Sequence, residues 1–299
     1  MKILISGSSG LIGQALIPVL KDGGHSVVSL VRFKPQPGAA MVYWDPAGGE
    51  IDTAKLEGFD AVVHLAGESV SGRWTAAKKH AIGESRVQGT RLLCEALAKT
   101  SQRPGVLVAA SASGYYGNRG DEVLREESAP GSTFSSQLCQ EWEAATKPAA
   151  ALGIRVVNLR IGFVLSPAGG GLGKMLPAFR MGAGGRLGSG TQYMSWIAID
   201  DLVQITLFAI ATETLSGPVN ASAPNPVRNL EFTKMLGRVL RRPAIFPVPA
   251  FVIHLVFGQM GDELLLASTR MEPARLLGAG YHFRFPQLEA ALRSLLRSA

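Results

Sequence analysis

The stretch ISGSSGLIG, residues 5–13, decides the fold of this chain because it joins an apolar strand to a helix through three glycines. Gly7 permits a tight turn, Gly10 lets backbone N–H groups approach a pyrophosphate, and Gly13 allows the helix to pack close to the strand. Glycine triplets also occur in ordinary turns, but here the required strand precedes the triplet and the required helix follows it. The stretch therefore predicts a dinucleotide-binding loop.

Around this loop, short apolar runs alternate with longer helical patterns over the first two-thirds of the chain. Alternation of this kind predicts βαβ units and a parallel sheet, and strands so uniformly apolar predict helices on both faces. The predicted strands are 2–6, 26–31, 41–44, 60–66, 105–111 and 154–160. The predicted helices are 11–21, a long helix that ends near residue 99, and 134–151.

The pattern changes after residue 165. Glycine-rich segments predict loops at 168–176 and 182–190. Beyond them, an amphipathic helix at 200–212 and a strand at 218–222 are predicted to return to the sheet. The remainder of the chain reads as helices that are interrupted at prolines.

The fold class predicted from these patterns is α/β, a Rossmann-like doubly wound parallel sheet with a smaller, mainly helical C-terminal lobe. The predicted domains are a dinucleotide-binding Rossmann domain over 1–165, joined by 200–222, and a substrate or C-terminal lobe made of 166–199 and 223–299. Ligands of such sheets bind at the carboxyl ends of the strands. We therefore expect the smaller lobe to cover the site.

Composition limits the classes of function. The chain has 299 residues, of which 46% are hydrophobic and 18% are charged, which is typical of a folded globular protein. A net charge of +7 is compatible with nucleic acid, but the basic residues form no arm or block, so the charge favours a phosphorylated small ligand instead. A solvated basic surface is the simpler alternative. We expect no nucleic-acid partner.

Cysteines and apolar runs indicate a cytoplasmic protein. Cys94 and Cys139 have no metal-ligand spacing and suggest no disulfide framework, so neither a metal site nor an oxidising compartment is expected. The chain enters a strand at once, with no room for a signal peptide. The apolar run at 249–258 is interrupted by Pro and His and is too short to cross a bilayer, so no membrane association is expected.

The end of the second predicted strand indicates which dinucleotide binds. An acidic residue at this point would hydrogen-bond the ribose 2′-OH of NAD. The chain instead reads SLVRFKP over 29–35, with Arg32 in that place and Lys34 nearby. A guanidinium can pair with a 2′-phosphate, so the expected cofactor is NADP(H). The alternative is that Arg32 is only a solvated charge at a strand end.

Several segments together resemble the extended short-chain dehydrogenase/reductases. They are ISGSSGLIG, FDAVVHLAGES (59–69), SASGYYG (111–117) and LRIGFVLSPAGGGLGKMLPAF (159–179). Two further segments, GRLGSGTQYMSWIAIDDL (185–202) and MEPARLLGAGYHFRFPQLEAAL (271–292), are similar to the atypical branch described as epimerase family proteins, the YfcH-like group. The resemblance runs nearly from end to end.

This resemblance implies an NADP(H) site built from the ends of several strands. The implied residues are Gly7, Ser8, Ser9, Gly10, Leu11, Ile12 and Gly13 around the pyrophosphate, Arg32 at the 2′-phosphate, Asp45 at the adenine, Leu65, Ala66, Gly67 and Glu68 along the adenosine and ribose, and Arg160 and Ile161 toward the nicotinamide. Ordinary packing at a strand end is the alternative for each, most of all for Leu65 and Ile161.

The resemblance also exposes a gap in the chemistry. Typical members carry a Tyr and a Lys four residues apart on one helix, where the Lys lowers the pKa of the phenol that exchanges a proton. The matching helix here offers Phe134 and Leu138, or Thr133 and Gln137 if the register shifts by one. Neither register supplies the pair, so the usual proton donor is missing.

Candidate replacements come from SASGYYG. The order of preference for a substitute acid is Tyr115, then Ser111, then Ser113, which is also a candidate substrate contact; Tyr116 is expected to pack in the turn. Arg119 follows Tyr115 by four residues and could lower the pKa of its phenol, although the segment reads as a loop.

Other polar or aromatic side chains are candidate substrate contacts. They are Arg86, Gln192 and Trp196, with core packing between the lobes as the alternative for Trp196. Ala198 stands where the family pattern usually has a His. His64 lies in an apolar strand and is predicted to be a hydrogen-bonded core residue.

The sequence thus supports two functional hypotheses. The first is an atypical NADP(H)-dependent oxidoreductase or sugar-nucleotide-epimerase-like enzyme that acts on an unknown small polar substrate. The alternative is a non-catalytic NADP(H)-sensing module that regulates a protein partner. A homodimer through the 83–99 and 134–151 helices is suggested by analogy alone.

Overall fold

A computed structural model describes residues 1–297 of the chain. The strands are β1 (Lys2–Ser6), β2 (Ser26–Val31), β3 (Met41–Asp45), β4 (Glu50–Ile51), β5 (Ala61–His64), β6 (Val106–Ala112), β7 (Val123–Leu124), β8 (Arg155–Ile161), β9 (Phe163–Leu165), β10 (Tyr193–Met194), β11 (Trp196–Ala198), β12 (Gly217–Ala221), β13 (Val227–Arg228) and β14 (Arg270–Met271). The α-helices are α1 (Leu11–Asp22), α2 (Ala76–Ala98), α3 (Phe134–Ala144), α4 (Lys147–Ala151), α5 (Gly170–Arg180), α6 (Ile199–Ala211), α7 (Asn229–Leu240), α8 (Ala250–Phe257), α9 (Gln259–Leu264), α10 (Ala274–Gly278) and α11 (Leu288–Arg297). Two short 3₁₀ helices cover Thr53–Leu56 and Ser113–Tyr116.

The main sheet has eight strands in the order β12, β8, β6, β5, β1, β2, β3, β4. All neighbouring pairs are parallel except β3 and β4. The order reverses direction at β1, with β2 on one side and β5 on the other, which is the switch point where ligands of such sheets bind. The predicted α/β fold class is confirmed.

Each face of the sheet is covered by helices. Ile3 and Ile5 of β1 pack on one face with Leu16 of α1, whereas Leu4 packs on the other face with Leu93 of α2. This alternation follows from the two-residue period of a strand. Full burial of each such side chain contributes about 1.5–3 kcal/mol to folding, so both faces stabilise the sheet.

The C-terminal lobe has its own core, formed by β9, β11, α5, α7 and α11. Its largest side chain is Trp196, which is fully buried. α6 and β12 lie with the main sheet instead: β12 pairs with β8, and α6 packs against α1. No helix within residues 1–297 is long and apolar enough to span a membrane.

The predicted loop at 168–176 is wrong, because residues 170–180 form helix α5. Leu172, Leu176 and Phe179 are buried at helical spacing, and this packing outweighs the weak helix propensity of the glycines. Position 171 of the helix must be glycine because a Cβ there would lie 2.1 Å from the ring of Phe163.

The single helix predicted over 134–151 is also corrected. It is two helices, α3 and α4, that meet at Ala145 and Thr146. Pro148 stands in the first turn of α4, where a residue without an N–H group is tolerated, and it would break a continuous helix.

The two glycines of α5 allow a matched stability test. Gly171→Ala is expected to cost about 1–3 kcal/mol, because the added methyl overlaps the Phe163 ring. Gly173→Ala, whose Cβ would lie 3.4 Å from its nearest neighbour, is expected to gain about 0.5–1 kcal/mol from helix propensity alone. Urea unfolding of both variants measures the difference, and equal effects would contradict this account of the helix.

His64 is the hydrogen-bonded core residue that the sequence predicted. Its ring is buried, with Nδ1 2.7 Å from Ser6 Oγ and Nε2 3.0 Å from Thr90 Oγ1. Burial lowers the pKa of His64 from its ordinary 6.5 to about 4. The folded protein therefore holds a neutral imidazole at neutral pH.

This burial makes folding stability depend on pH. The unfolded chain takes up a proton at His64 below pH 6.5, but the folded chain does so only near pH 4, so the stability contribution is complete above 6.5 and is lost as the pH falls through this range. The expected loss by about pH 4 is about 3 kcal/mol. Urea unfolding of wild type and His64→Gln checks it, because the variant should lack this part of the slope. The exposed His282→Gln serves as the control, and an equal slope in all three proteins would contradict the assignment.

Candidate active site

The glycine-rich loop between β1 and α1 leaves no room for side chains. Gly7 has φ +71°, and a Cβ there would lie 2.7 Å from the carbonyl oxygen of Leu65. A Cβ on Gly13 would lie 2.4 Å from the carbonyl oxygen of Gly7. α1 begins after Gly10, and no side chain caps its first turn. The loop therefore offers backbone N–H groups at a helix N-terminus, an arrangement that suits a phosphate group.

A buried chain of hydrogen bonds holds the neighbouring loop after β5. The N–H groups of Leu65 and Ala66 both donate to Ser6 Oγ, at 3.1 and 3.2 Å. Ser6 Oγ accepts twice, so its own proton is directed at Nδ1 of His64, and the imidazole then donates from Nε2 to Thr90. The core histidine thus positions the peptide groups that face Gly7.

Arg86 supports this loop. Its guanidinium donates to the carbonyl oxygen of Glu68 at 2.9 Å and lies 5.0 Å from the ring centre of Trp142. A Cβ on Gly67 would lie 3.0 Å from Arg86 Cζ, so Gly67 is needed for the close approach. Burial lowers the pKa of Arg86. The side chain is engaged with the loop after β5, and its contact with a substrate stays a prediction.

Three cationic side chains lie near Glu68, at the edge of the sheet where the strands β1, β2 and β5 end. Lys78 Nζ lies 2.6 Å from Glu68 Oε1, and this hydrogen bond, with smaller electrostatic effects of Arg32 and Arg86, lowers the pKa of the carboxyl. Arg32 itself is exposed at the end of β2. Three cations around one carboxylate leave a local excess of positive charge beside the glycine loop.

Asp45 lies at the end of β3 and stabilises a turn. Its Oδ1 accepts a hydrogen bond from the N–H of Ala47 at 3.1 Å, and its Oδ2 lies against Gly48. Asp45 is half-buried, and the turn occupies one of its oxygens. In the sheet, β3 is two strands away from β1, which leads into the glycine loop, and it lies next to β2, which Arg32 follows.

A cleft of about 430 Å³ opens above the glycine loop and below the C-terminal lobe. Most of its lining is apolar or glycine; the polar residues that line it are Ser113, Tyr193, Ser195, Asn229 and Thr269. Ser195 and Asn229 are used structurally, since Ser195 Oγ donates to the carbonyl of Thr269 and Asn229 Oδ1 accepts from the N–H of Leu187. The structure therefore brings two predicted groups into one cleft, the glycine loop with Leu65 and the candidate hydroxyl of Ser113.

Arg160 and Ser111 belong to a buried network outside this cleft. Arg160 donates Nε–H and Nη2–H to the two carboxylate oxygens of Glu143, both at 2.9 Å, and Nη1–H to Tyr116. Ser111 Oγ donates to the same Glu143 at 2.7 Å. These side chains are committed to one another and do not line the cleft, so the position of Arg160 toward the nicotinamide and the role of Ser111 as an acid stay predictions.

Tyr115 also points away from the cleft. Its ring lies 3.4 Å from the Arg160 guanidinium carbon and lines a separate cavity between α3, α4, β8 and β12. Arg119 donates hydrogen bonds from Nε and Nη2 to the two carboxylate oxygens of Glu122, and not to the Tyr115 phenol. Tyr115 therefore lies outside the residues that line the cleft, and its role as the substitute acid stays a prediction. Tyr116 packs in the turn as predicted, and burial raises the pKa of its phenol to about 12.

Trp196 and Gln192 are structural as well. Trp196 is 0% exposed and donates its indole N–H to the carbonyl of Asn225, so core packing between the elements of the lobe is its role. Gln192 donates to the carbonyls of Leu187 and Leu265. Neither residue lines the cleft, and the two substrate contacts stay predictions. Ile161 packs against the core of the sheet.

Sequence reasoning missed Glu143, although a signal was present. Arg160 stands inside the apolar strand IRVVNLR, and an arginine buried there needs a carboxylate partner. Glu143, one of two glutamates at the end of α3, is that partner. Among residues 1–297, no group of three or more His, Cys, Asp or Glu side chains is arranged to hold a metal ion.

The buried pair gives a stability prediction. Glu143→Gln leaves the Arg160 charge unpaired with 3% of its side chain exposed, so we expect a loss of about 3–5 kcal/mol in the free energy of unfolding. The double variant Glu143→Met with Arg160→Met removes both charges and should regain most of that loss. Denaturant unfolding tests the pair, and a single-variant cost under about 1 kcal/mol would contradict it.

The fold and the cleft together define a doubly wound α/β protein with a glycine-rich loop under a helical lobe. Residues 3–221 match the NAD dependent epimerase/dehydratase family, and residues 248–295 match a domain of unknown function, DUF1731. The chain belongs to the NAD dependent epimerase/dehydratase family. The predicted resemblance to its epimerase family proteins is confirmed.

Three relatives illustrate how far the similarity extends. An epimerase family protein of Mycobacterium bovis is 44% identical over 291 residues, which cover 97% of this chain and 96% of the relative. The crystal structure of the human epimerase family protein SDR39U1 (isoform 2) with NADPH has a TM-score of 0.91 and 36% identity, over 100% of both chains. That of the nucleoside-diphosphate sugar epimerase from Corynebacterium glutamicum has a TM-score of 0.81 and 41% identity, over 99% of this chain and 58% of the other.

Proposed function

We propose that this protein is an NADP(H)-dependent oxidoreductase or epimerase that acts on a small polar substrate. The observation that carries the proposal is the combination of a loop in which Gly7 and Gly13 admit no Cβ with an excess of cations beside it. A loop without side chains lets its backbone N–H groups approach a pyrophosphate closely, and the Arg32 guanidinium at the end of β2 suits a 2′-phosphate rather than a free hydroxyl.

The cofactor's position follows from the sheet order. The pyrophosphate lies over residues 7–13, and the adenosine extends over β2 and β3, where Arg32 pairs with the 2′-phosphate. Ala66, Gly67 and Glu68 border the adenosine from the side of β5. The nicotinamide then lies over β5 and β6, next to Ser113 in the cleft. When bound there, the nicotinamide supplies hydride chemistry to a substrate held beneath the lobe.

The relatives support this proposal. The human protein that superposes over its full length was crystallised with NADPH, and the Corynebacterium protein is described as a nucleoside-diphosphate sugar epimerase. A cleft of about 430 Å³ above the loop is of a size that small ligands use. We assign the substrate to the cleft side of β6, where the lining is mainly apolar with a few hydroxyls.

A second candidate function is an NADP(H) sensor without catalysis. The observation that favours it is that Tyr115 and Ser111 lie outside the cleft, so neither replaces the missing Tyr and Lys. The two functions differ in a direct test. An oxidoreductase oxidises NADPH with some member of a panel of carbonyl compounds or reduces NADP⁺ with some member of a panel of alcohols, which changes the nicotinamide absorbance. An epimerase leaves that absorbance unchanged but converts some sugar nucleotide to its epimer, which chromatography detects, whereas a sensor does neither.

The 2′-phosphate assignment is tested by cofactor binding. Arg32→Ala should weaken NADPH about tenfold, because one charge-assisted hydrogen bond is lost at an exposed site, and should leave the affinity for NADH unchanged. Titration of the nicotinamide fluorescence measures both affinities. Lys34→Ala is the matched control, and an equal loss for NADPH and NADH in Arg32→Ala would contradict the assignment.

The loop itself is tested separately. Gly13→Ala places a methyl 2.4 Å from the carbonyl oxygen of Gly7, so the loop must open and NADPH binding should be lost. Thermal unfolding without nucleotide shows whether the variant is folded. Unchanged NADPH affinity in a folded Gly13→Ala protein would place the cofactor elsewhere.

A further inference from the structure

The cleft above the glycine loop has a lining without charged side chains. In the part of the chain that the structure describes, no Lys, Arg, His, Asp or Glu lines it. The polar residues of the lining carry hydroxyl or amide groups. The wall on the side of the C-terminal lobe is mostly apolar and contains Met175, Leu187, Met194, Leu264, Leu265 and Ala267.

Two of the polar side chains in this lining are already used within the protein. Ser195 Oγ donates to the carbonyl of Thr269 and accepts from the N–H of Met271, at 2.7 and 2.8 Å. Asn229 Oδ1 accepts from the N–H of Leu187 at 2.8 Å. The cleft can therefore offer a ligand a few neutral hydroxyl groups beside a large apolar surface.

The arginines that neighbour lining residues in the chain are held elsewhere. Arg228 and Arg270 lie over the ring of Tyr193, 4.7 and 4.9 Å from its centre. Arg228 also donates to a carboxylate oxygen of Asp121 at 2.9 Å, and Arg270 donates to the backbone carbonyl of the same residue at 3.3 Å. Arg186 donates to a backbone carbonyl two residues further on. None of these guanidiniums lines the cleft.

Such a lining disfavours an anionic ligand. Transfer of a phosphate or carboxylate from water into apolar surroundings costs free energy unless cations or hydrogen-bond donors compensate for the lost hydration. Phosphate sites usually supply these groups as Arg, Lys or the N–H groups of a helix N-terminus. The glycine loop does offer N–H groups, but in the proposed function they bind the pyrophosphate of the cofactor.

We propose that the substrate is an uncharged carbonyl compound or alcohol with an apolar body, and not a sugar nucleotide. The inference rests on the proposed function and narrows its substrate, because the polar part of the ligand is then the reacting oxygen group alone. In the reduction, the carbonyl carbon takes a hydride from NADPH and the carbonyl oxygen takes a proton from solvent, which gives an alcohol and NADP⁺. Met175 and Met194 have flexible side chains, so the wall can adjust to apolar bodies of different shape.

Three ligands test the inference by binding, with NADP⁺ present at saturation so that no ketone is reduced. Acetophenone is an uncharged apolar ketone, 4-acetylbenzoate adds one carboxylate to it, and UDP-glucose is a sugar nucleotide. We expect acetophenone to bind at least about tenfold more tightly than 4-acetylbenzoate, and UDP-glucose to show no binding. Calorimetric titration measures all three affinities.

A charge added to the wall should reverse this preference. Leu264, at the end of α9, lines the cleft and is 41% exposed, so a longer polar side chain can be accommodated there. Leu264→Lys should bind 4-acetylbenzoate about tenfold more tightly than wild type does and should not bind acetophenone more tightly. Leu277→Lys makes the same change in α10, at a leucine that is 45% exposed outside the cleft, and should match wild type.

The other outcomes separate the inference from the proposed function. If the protein binds NADPH, but UDP-glucose or 4-acetylbenzoate binds as tightly as acetophenone, the inference is wrong and the proposed function stands. No binding of acetophenone to the NADP⁺ complex, or equal effects of Leu264→Lys and Leu277→Lys on 4-acetylbenzoate, would also overturn the inference. If wild type binds neither NADPH nor NADP⁺, the proposed function itself fails.

Discussion

The close approach of the Gly7 backbone to the peptide between Leu65 and Ala66 is the constraint on which the rest of the structure depends. At that distance no side chain can be accommodated, so a glycine must follow β1 and the chain must turn there. The same peptide is held from below by Ser6, which is held by His64. A buried neutral histidine in the core thus determines the geometry of the loop above it.

The cleft is assembled from parts that are far apart in the sequence. The Rossmann half contributes the glycine loop and the end of β6, whereas the C-terminal lobe contributes the opposite wall through residues 264–269. Glu263 joins the two halves at α3. Charge is concentrated on one side of the glycine loop, where Lys78, Arg32 and Arg86 lie around Glu68.

Local patterns in the sequence predicted what depends on local physics. We could predict the apolar strands, the glycine loop and the core role of His64, because burial and backbone geometry directly restrict which residue types can occupy these positions. The cavity that Tyr115 lines could not be predicted, because the sequence gives the position of a turn but not the direction of its side chains. The glycines of 168–176 suggested a loop because the ring of Phe163, which requires Gly171, comes from another element.

The contact between Glu263 and Ser135 could not be predicted from the sequence for a related reason. Ser135 precedes Glu263 by 128 residues, and nothing near either residue marks the pair. A buried arginine such as Arg160 indicates that a carboxylate partner is needed, but it does not identify that partner. Long-range polar contacts of this kind are specified by tertiary packing, which one sequence reveals only indirectly.

Hydrogen exchange of the protein with and without NADPH tests the central claim most directly, because it locates the ligand without knowledge of the substrate. The account predicts slower exchange in peptides that cover residues 5–14 and 65–69, together with 263–269 across the cleft, and no change in peptides of α4 and β12 beside the separate cavity. Slower exchange confined to α4 and β12, or no change anywhere at saturating NADPH, would contradict it.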